Sequence, residues 1–291
     1  MQSVERLVLL GTGLISGSFA LALKRARLVK QVVGVGRSIE NLTRALELGV
    51  VDAYLTDAAA AVRGADLVLL GTPVGQMGRL MQQIAPHLSP NCVVTDGGST
   101  KQDVCALFRE HLPQQLASCV PGHPIAGSDL SGASAAQFGL YEGRRVVLTP
   151  LSENNVEAIE RVRQLWQACG ATVYEMSAEQ HDGIFSAVSH APHLLSFAYM
   201  NSVLDRYNAK QCLDFAASGF RDFTRIAGSH PDMWRDIALA NRSAVLSDLK
   251  ANIAQLNHLV QLIEQDQALA LTEYIQRASQ ARIEWGQPKK E

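Results

Sequence analysis

LVLLGTGLISGSFALALKRA, residues 7–26, is the stretch that decides the fold. Four apolar residues form a strand-sized run, two glycines follow at 11 and 13, and an amphipathic pattern then runs to Ala26, so the order is strand, tight turn, helix. Gly11 permits the turn. Gly13 lets a pyrophosphate approach the backbone N–H groups at the start of the helix, where the helix dipole favours an anion. Leu14 and Ile15, the first helical residues, complete the expected cofactor-binding loop. The third position of the G-x-G-x-x-G pattern is Ser16, a residue small enough for close packing of helix against strand.

The next strand, QVVGVGRSIENL (31–42), tests which dinucleotide the loop would hold. An NAD site carries an acid at the strand end to take the ribose hydroxyls, whereas this chain has Gly36, Arg37 and Ser38. A carboxylate there would repel a 2′-phosphate; a guanidinium and a hydroxyl at the start of the next helix can bind one. NADP is therefore the expected cofactor. NAD stays open, because Ser38 can serve only as the cap of a helix starting near Ile39 and Arg37 can stack on adenine.

Continuous apolar runs recur through the first part of the chain: LVLLG, VVGVG, LVLLGT, VVTDGG, ASCVPG, RVVLTP and ATVYEM, with amphipathic stretches between them. Runs of this kind suit a parallel sheet covered on both faces. The expected fold is an α/β Rossmann-type doubly wound domain over residues 1–176, followed by an all-α domain over 177–291. In the helical part Leu246, Leu249, Ile253, Leu256, Val260 and Ile263 repeat at alternating steps of three and four, which puts them on one stripe. A stripe so regular needs a partner helix, in the same chain or in a second copy, and this domain is the natural place for a homodimer interface.

Ligands of an open parallel sheet bind at the carboxyl ends of its strands. Three polar segments fall there. GTPVGQ (71–76) offers Thr72 and Pro73 to the cofactor, DGGSTK (96–101) offers Ser99, and PGHPIAGSD (121–129) brings His123 to the rim where a nicotinamide would lie. A structural role competes at the second of them, since Asp96 and Ser99 could simply cap a helix starting near Thr100.

Composition narrows the class. The chain has 291 residues, 47% hydrophobic and 19% charged, with a formal net charge of −2 and no Lys/Arg run. It therefore lacks the clustered charge of a nucleic-acid surface. Its N-terminus, MQSVERLVLLGTG, is neither a signal peptide nor a span of roughly 20 apolar residues. Five cysteines without a C-x-x-C pair argue against a disulfide framework or a zinc site. A cytoplasmic protein with no membrane or nucleic-acid partner is expected. His190 and His193 in SHAPH are three apart, but no acid or cysteine accompanies them, so no metal is expected there either.

Five segments then carry a resemblance: GTGLISGS (11–18), DGGSTK (96–101), GHPIAGSD (122–129), SHAPHLLSFA (189–198) and GFRDFTRIAGSHPDMWRDI (219–237). Taken in this order they resemble the prephenate/arogenate dehydrogenase family of tyrosine biosynthesis, and the last two are specific to it. The resemblance implies hydride transfer from C4 of a cyclohexadiene to the nicotinamide, followed by loss of CO2 to give an aromatic ring. By resemblance His123 takes the 4-hydroxyl proton, Ser99 bonds the same hydroxyl or orients the imidazole, and Arg225 clamps the ring carboxylate, with Arg221 as competitor. His193 and Trp234 are placed by resemblance at the substrate pocket, with plain packing as the other reading of each. Asp129 stands where relatives often have Glu, and its role is left open. So are the choice between prephenate and arogenate and feedback inhibition by tyrosine.

Two other functions fit the architecture. A β-hydroxyacid dehydrogenase would need a helical-domain lysine in a G-x-x-x-K pattern, which neither Lys210 nor Lys250 supplies. A non-catalytic NADP-binding regulator would need no histidine, serine and arginine brought together.

Overall fold

The structure, a computed structural model, describes residues 3–127 and 132–286. It begins with β1 (Val4–Leu10), α1 (Leu14–Arg25), β2 (Val29–Val35), α2 (Ile39–Glu47), β3 (Ala53–Leu55) and α3 (Ala58–Ala61). β4 (Leu67–Leu70), α4 (Val74–Ile84), β5 (Val93–Asp96), α5 (Gln102–His111) and β6 (Cys119–Val120) follow. The six strands form one sheet in the order β3-β2-β1-β4-β5-β6, parallel at every pairing. The order reverses between β1 and β4, the switch point at which such sheets open a ligand crevice.

Both faces of this sheet are buried, which explains its unbroken apolar runs. Successive residues of β1 point to opposite sides. Leu7 and Leu9 join a cluster with Phe19, Leu23 and Trp166, while Val8 and Leu10 join another with Met77, Met81 and Phe108.

The last three apolar runs do not all enter that sheet. β7 (Gly122–Ile125), β8 (Arg145–Leu148) and β9 (Thr172–Glu175), with α6 (Val156–Ala168) between the last two, make a separate three-stranded sheet. β7 pairs antiparallel with β8, and β8 runs parallel to β9. RVVLTP and ATVYEM thus depart from the single parallel sheet expected of them. Pro121 supplies the reason: it has no N–H to extend the β6 ladder, and the chain turns there into β7. Pro124 is tolerated in β7 because β7 is an edge strand. His123 consequently sits within a strand of the second sheet, opposite Val147, rather than in a loop beyond the first.

From Ala178 onward the chain is helical, as its patterning predicts. α7 (Ala178–Phe185) passes through a π turn (Ser186–His190) into α8 (Ala191–Leu204). α9 (Ala209–Asp214), α10 (Ser218–Thr224), a 3₁₀ turn (Arg225–Gly228), α11 (Pro231–Ala240), α12 (Arg242–Glu264) and α13 (Ala268–Gly286) complete it. Pro192 stands in the first turn of α8. It lies just past the π turn of a continuous helical path, where its missing N–H and its ring forbid the ordinary bond to residue 188 and the preceding turn widens. Trp234 and Ile237 of α11 share a core with Met77 and Met81 of α4.

The chain divides into two compact units, Met1–Ala244 and Val245–Glu291. In the second, Asp266 (φ 50°) turns the chain from α12 to α13, and His258 meets Tyr274 edge-on at 5.7 Å. Leu246, Ile253, Leu256, Val260 and Ile263 of the α12 stripe are exposed. No helix among the described residues is long and apolar enough to cross a membrane.

Candidate active site

The glycine loop is built for an anion. Gly11 has φ +97°, and a Cβ there would lie 3.0 Å from the Gly71 carbonyl oxygen, so the position requires glycine on two counts. Ser16 is fully buried and its hydroxyl donates to the Gly11 carbonyl. A Cβ on Gly71 would fall 2.6 Å from that hydroxyl. Ser16 is thus the small residue on which helix and strand close. Gly13 caps α1 without a side chain over the N–H groups, and no acid occupies the first turn. Among the described residues, its chain neighbours aside, nothing lies within 4 Å of a Cβ built on Gly13. Bare N–H groups and open space at a helix N-terminus fit a pyrophosphate.

Two further segments border this cradle. Pro73 caps α4, and the neighbouring Thr72 hydroxyl is buried with no hydrogen-bond partner among the described residues. A polar atom of this kind awaits a ligand group or water. At the end of β2, Ser38 accepts the Asn41 N–H at 3.1 Å and so caps α2, while Arg37 is exposed beside it. Asn41 in turn donates to Thr12 Oγ1 at 2.9 Å and accepts the Ala133 N–H at 2.8 Å, which ties the loop to α2.

Cofactor loop and histidine strand converge on Gly97. A Cβ there would lie 2.9 Å from Ile15 and 3.8 Å from Pro124, the residue after His123. Behind them is a fully buried ion pair, Asp96 with Lys101. Asp96 accepts the Gly122 N–H at 3.0 Å and the Gly98 N–H at 2.7 Å, and Lys101 donates to the Gly122 carbonyl at 2.8 Å. Both backbone groups of the residue before His123 are therefore held by one pair. Asp96 is no helix cap, and neither is Ser99: α5 begins at Gln102, and no side chain of its own segment caps it. The cap comes from Asp182, 80 residues on, whose carboxylate accepts the Lys101 and Gln102 amides at 2.8 and 2.9 Å.

Asp182 belongs to a chain of groups that ends on His123. Its Oδ1 lies 2.8 Å from His181 Nδ1, and His181 Nε2 lies 2.8 Å from His123 Nδ1. Phe185 packs against both rings, at centroid distances of 5.0 and 4.5 Å. Burial, reinforced by His181, Lys101 and His190, holds the His123 imidazole well below its ordinary 6.5. Burial also lowers His181, against the opposing pull of Asp182. For Asp182 burial works upward, but the hydrogen bonds from His181, Gln102 and Lys101 outweigh it and keep the carboxyl below its usual range. Both rings are neutral beside an ionised carboxylate at physiological pH.

The other histidines are fixed as well. Asn241 donates to the Asp182 backbone carbonyl at 2.8 Å and approaches His190 Nδ1 at 3.1 Å. His190 also bonds the Ser99 backbone, and burial pushes it down to about 4. His193 Nδ1 donates to the Ser189 carbonyl at 2.8 Å, and its ring stacks on Trp234 at 3.6 Å. Trp234 is buried. Arg225 heads the 3₁₀ turn after α10, and the Ser196 hydroxyl of α8 donates to the nearby Phe223 carbonyl at 3.0 Å. Asp129 lies outside the described residues. Among the described residues no cluster of three His, Cys, Asp or Glu could hold a metal.

His181, Asp182, Lys101 and Asn241 are the members that sequence reasoning missed. The only local sign is the His-Asp pair in EQHDG, set in the first turns of a predicted helix. Helical spacing alone would put residues nine apart on opposite faces; the π turn between Phe185 and Ala191 changes that phase, which is how one helical path presents both His181 and His190. π turns of this kind recur at functional sites.

Residues 19–175 match the model of the prephenate dehydrogenase nucleotide-binding domain, and residues 177–277 that of the prephenate dehydrogenase dimerization domain. The first match starts past Gly11 and Gly13. The chain is 36% identical to a prephenate dehydrogenase of Bacillus subtilis (strain 168) over 97% of its own length and 76% of that protein's. It is 32% identical to a cyclohexadienyl dehydrogenase of Zymomonas mobilis over 97% of both. Among solved structures, a prephenate dehydrogenase from A. aeolicus in complex with hydroxyphenyl propionate and NAD+ superposes with a TM-score of 0.91 at 33% identity. That likeness covers 97% of this chain and 98% of the other.

Proposed function

The chain belongs to the prephenate dehydrogenase family of NAD(P)-dependent oxidoreductases, and on that premise we propose that it is a cytoplasmic, NADP-preferring cyclohexadienyl dehydrogenase acting on prephenate, arogenate or both. Residues 1–176 bind the dinucleotide, and the helical part, 177–291, completes the substrate site and joins two copies. The exposed apolar stripe on α12 supports the pairing. The observation that carries the reading is the convergence at Gly97 of the cofactor loop, through Ile15, with the strand that bears a neutral His123.

In this reading a bound nicotinamide supplies the hydride acceptor, and the protein's residues do the rest. His123 accepts the 4-hydroxyl proton as the C4 hydride leaves, so a carbonyl forms at C4 rather than a cation. Departure of CO2 then moves an electron pair into the ring, and His123 returns the proton to the new phenolic oxygen. Ser99 bonds the same oxygen. Arg225 holds the ring carboxylate through a guanidinium that cannot lose its charge, and His193 with Trp234 lines the pocket around the side chain. Gly13 and the first turn of α1 hold the pyrophosphate, with Gly11, Leu14, Thr72 and Pro73 shaping its bed. Arg37 and Ser38 meet the 2′-phosphate. Gly36 also suits this choice, because a Cβ there would already press on Leu42 at 3.3 Å.

The test is a steady-state matrix of prephenate and arogenate against NAD and NADP. Turnover with NADP and at least one of the two acids is expected; no turnover with either acid would end the proposal. Arg37→Ala is expected to raise KM for NADP about 10- to 100-fold, the worth of one charged hydrogen bond, with little change for NAD. Equal effects on both cofactors would remove Arg37 from the 2′-phosphate site. Arg225→Ala is expected to raise substrate KM by about the same factor while kcat stays within a few-fold; an unmoved KM would assign the carboxylate to another cation.

A further inference from the structure

We infer that His181 and Asp182 are positioning residues for His123: the buried carboxylate, acting through the His181 ring, sets the tautomer that leaves His123 Nε2 as the acceptor for the substrate hydroxyl. The inference rests on the role proposed above for His123 and adds how the protein keeps that ring ready.

The polarity of the chain can be followed atom by atom. An ionised carboxylate only accepts hydrogen bonds. The oxygens of Asp182 already take two backbone amides, and Oδ1 takes in addition His181 Nδ1, which must therefore carry a proton. A neutral imidazole has one N–H, so His181 Nε2 is a lone pair. The atom 2.8 Å from that lone pair is His123 Nδ1, and it must donate. The proton of the neutral His123 ring is then spent on Nδ1, and Nε2 is bare.

Were His181 doubly protonated, the polarity would reverse and His123 would carry its proton on Nε2, where no hydroxyl proton could be accepted. Asp182 and Asp96 favour a charged His181, but burial and Lys101 outweigh them and work against that state. Lys101 reaches from the start of α5 beside Asp96 of β5, His190 approaches from the π turn, and His181 itself is fully buried. These favour neutral rings, and Asp182 needs only one proton of His181 to be satisfied. When His123 takes the hydroxyl proton, the positive charge on it faces a lone pair backed by a carboxylate. The proton need not move beyond His123, as in other buried Asp–His pairs.

Asp182 has a second task, the cap of α5, so the test must tell orientation from folding. Full-length protein carrying 15N-labelled histidine, with His123 assigned by the signal lost in His123→Asn, reports each tautomer directly. Wild type is expected to show His123 with a protonated Nδ1 and a bare Nε2. A protonated Nε2 in wild type would overturn the inference, whatever the variants do. His181→Leu leaves the α5 cap intact and removes the acceptor; kcat is expected to fall at least tenfold, with KM for substrate and NADP near wild type and the Nδ1–H signal of His123 lost. His181→Gln, whose amide oxygen can still accept from His123, is expected to recover part of that kcat. Asp182→Asn forfeits the charge in either amide orientation, and its kcat is expected to fall at least tenfold, toward the ~10⁴-fold seen when such a carboxylate becomes an amide.

If His181→Leu and Asp182→Asn both keep kcat within twofold while His123→Asn is inactive, the positioning role fails and the proposed function stands. If His123→Asn itself keeps its kcat, the failure lies in the role given to His123.

Discussion

His123→Asn is expected to lower kcat by about 10²- to 10⁴-fold, the range for loss of a positioned proton acceptor, and to leave substrate KM within a few-fold. Asparagine can occupy the β7 position opposite Val147 and offer a hydrogen bond, but it cannot take a proton as hydride leaves C4. Ground-state binding is therefore spared and the transition state is not, the signature of an interaction made only there. The pH profile gives a second reading. Burial and three positive or potentially positive neighbours hold His123 well below 6.5, so the base is fully present at neutral pH and is lost only as pH falls through that depressed value. The acid limb of kcat/KM should accordingly lie well below 6.5 in wild type and be absent from the residual activity of the variant. A variant that turned over at the wild-type rate would show that the hydroxyl loses its proton to another group.

How much of this was legible in the sequence depends on how far apart the interacting groups lie. The dinucleotide loop could be read because its reasons are local: Gly11 needs a positive φ, Ser16 must be small, and Ser38 caps the helix it precedes. His123 could be singled out because three segments of the right type end strands in order. The pairing of β7 with β8 was not legible, since RVVL looks the same whether its partner is parallel or antiparallel. β3 is three residues long at a sheet edge, too short for periodicity to mark. A cap was one open role for Asp96, because Asp before a helix often is one, and nothing nearby reveals that Lys101 turns back to pair with it. The cap that α5 does use, Asp182, comes from 80 residues away. Long-range hydrogen bonds of this kind leave no trace in spacing, and the proposed positioning of His123 rests on one of them, from His181, 58 residues away.

Lys101→Met is expected to destabilise the protein by about 3–5 kcal/mol, the usual cost of removing one member of a buried ion pair. The reason is less the lost attraction than what stays behind. Asp96 and Lys101 are both fully buried, and without the ammonium the carboxylate keeps only the Gly98 and Gly122 amides in a site that water cannot reach. The Gly122 carbonyl loses its Lys101 donor at the same time. Denaturant midpoints measure the loss. Asp96→Asn on the Lys101→Met background should recover a substantial part of it, because the amide oxygen can still accept an N–H while the uncompensated charge is gone, and such recovery separates charge burial from packing. A loss below about 1 kcal/mol in the single variant would mean that Asp96 is rescued by water or by protonation, contrary to the closed packing around it. The same substitution frees the carbonyl of the residue before His123 and leaves its amide on an uncompensated carboxylate. Activity should therefore fall under conditions in which the variant remains folded, joining the stability of this buried pair to the alignment of the imidazole it supports.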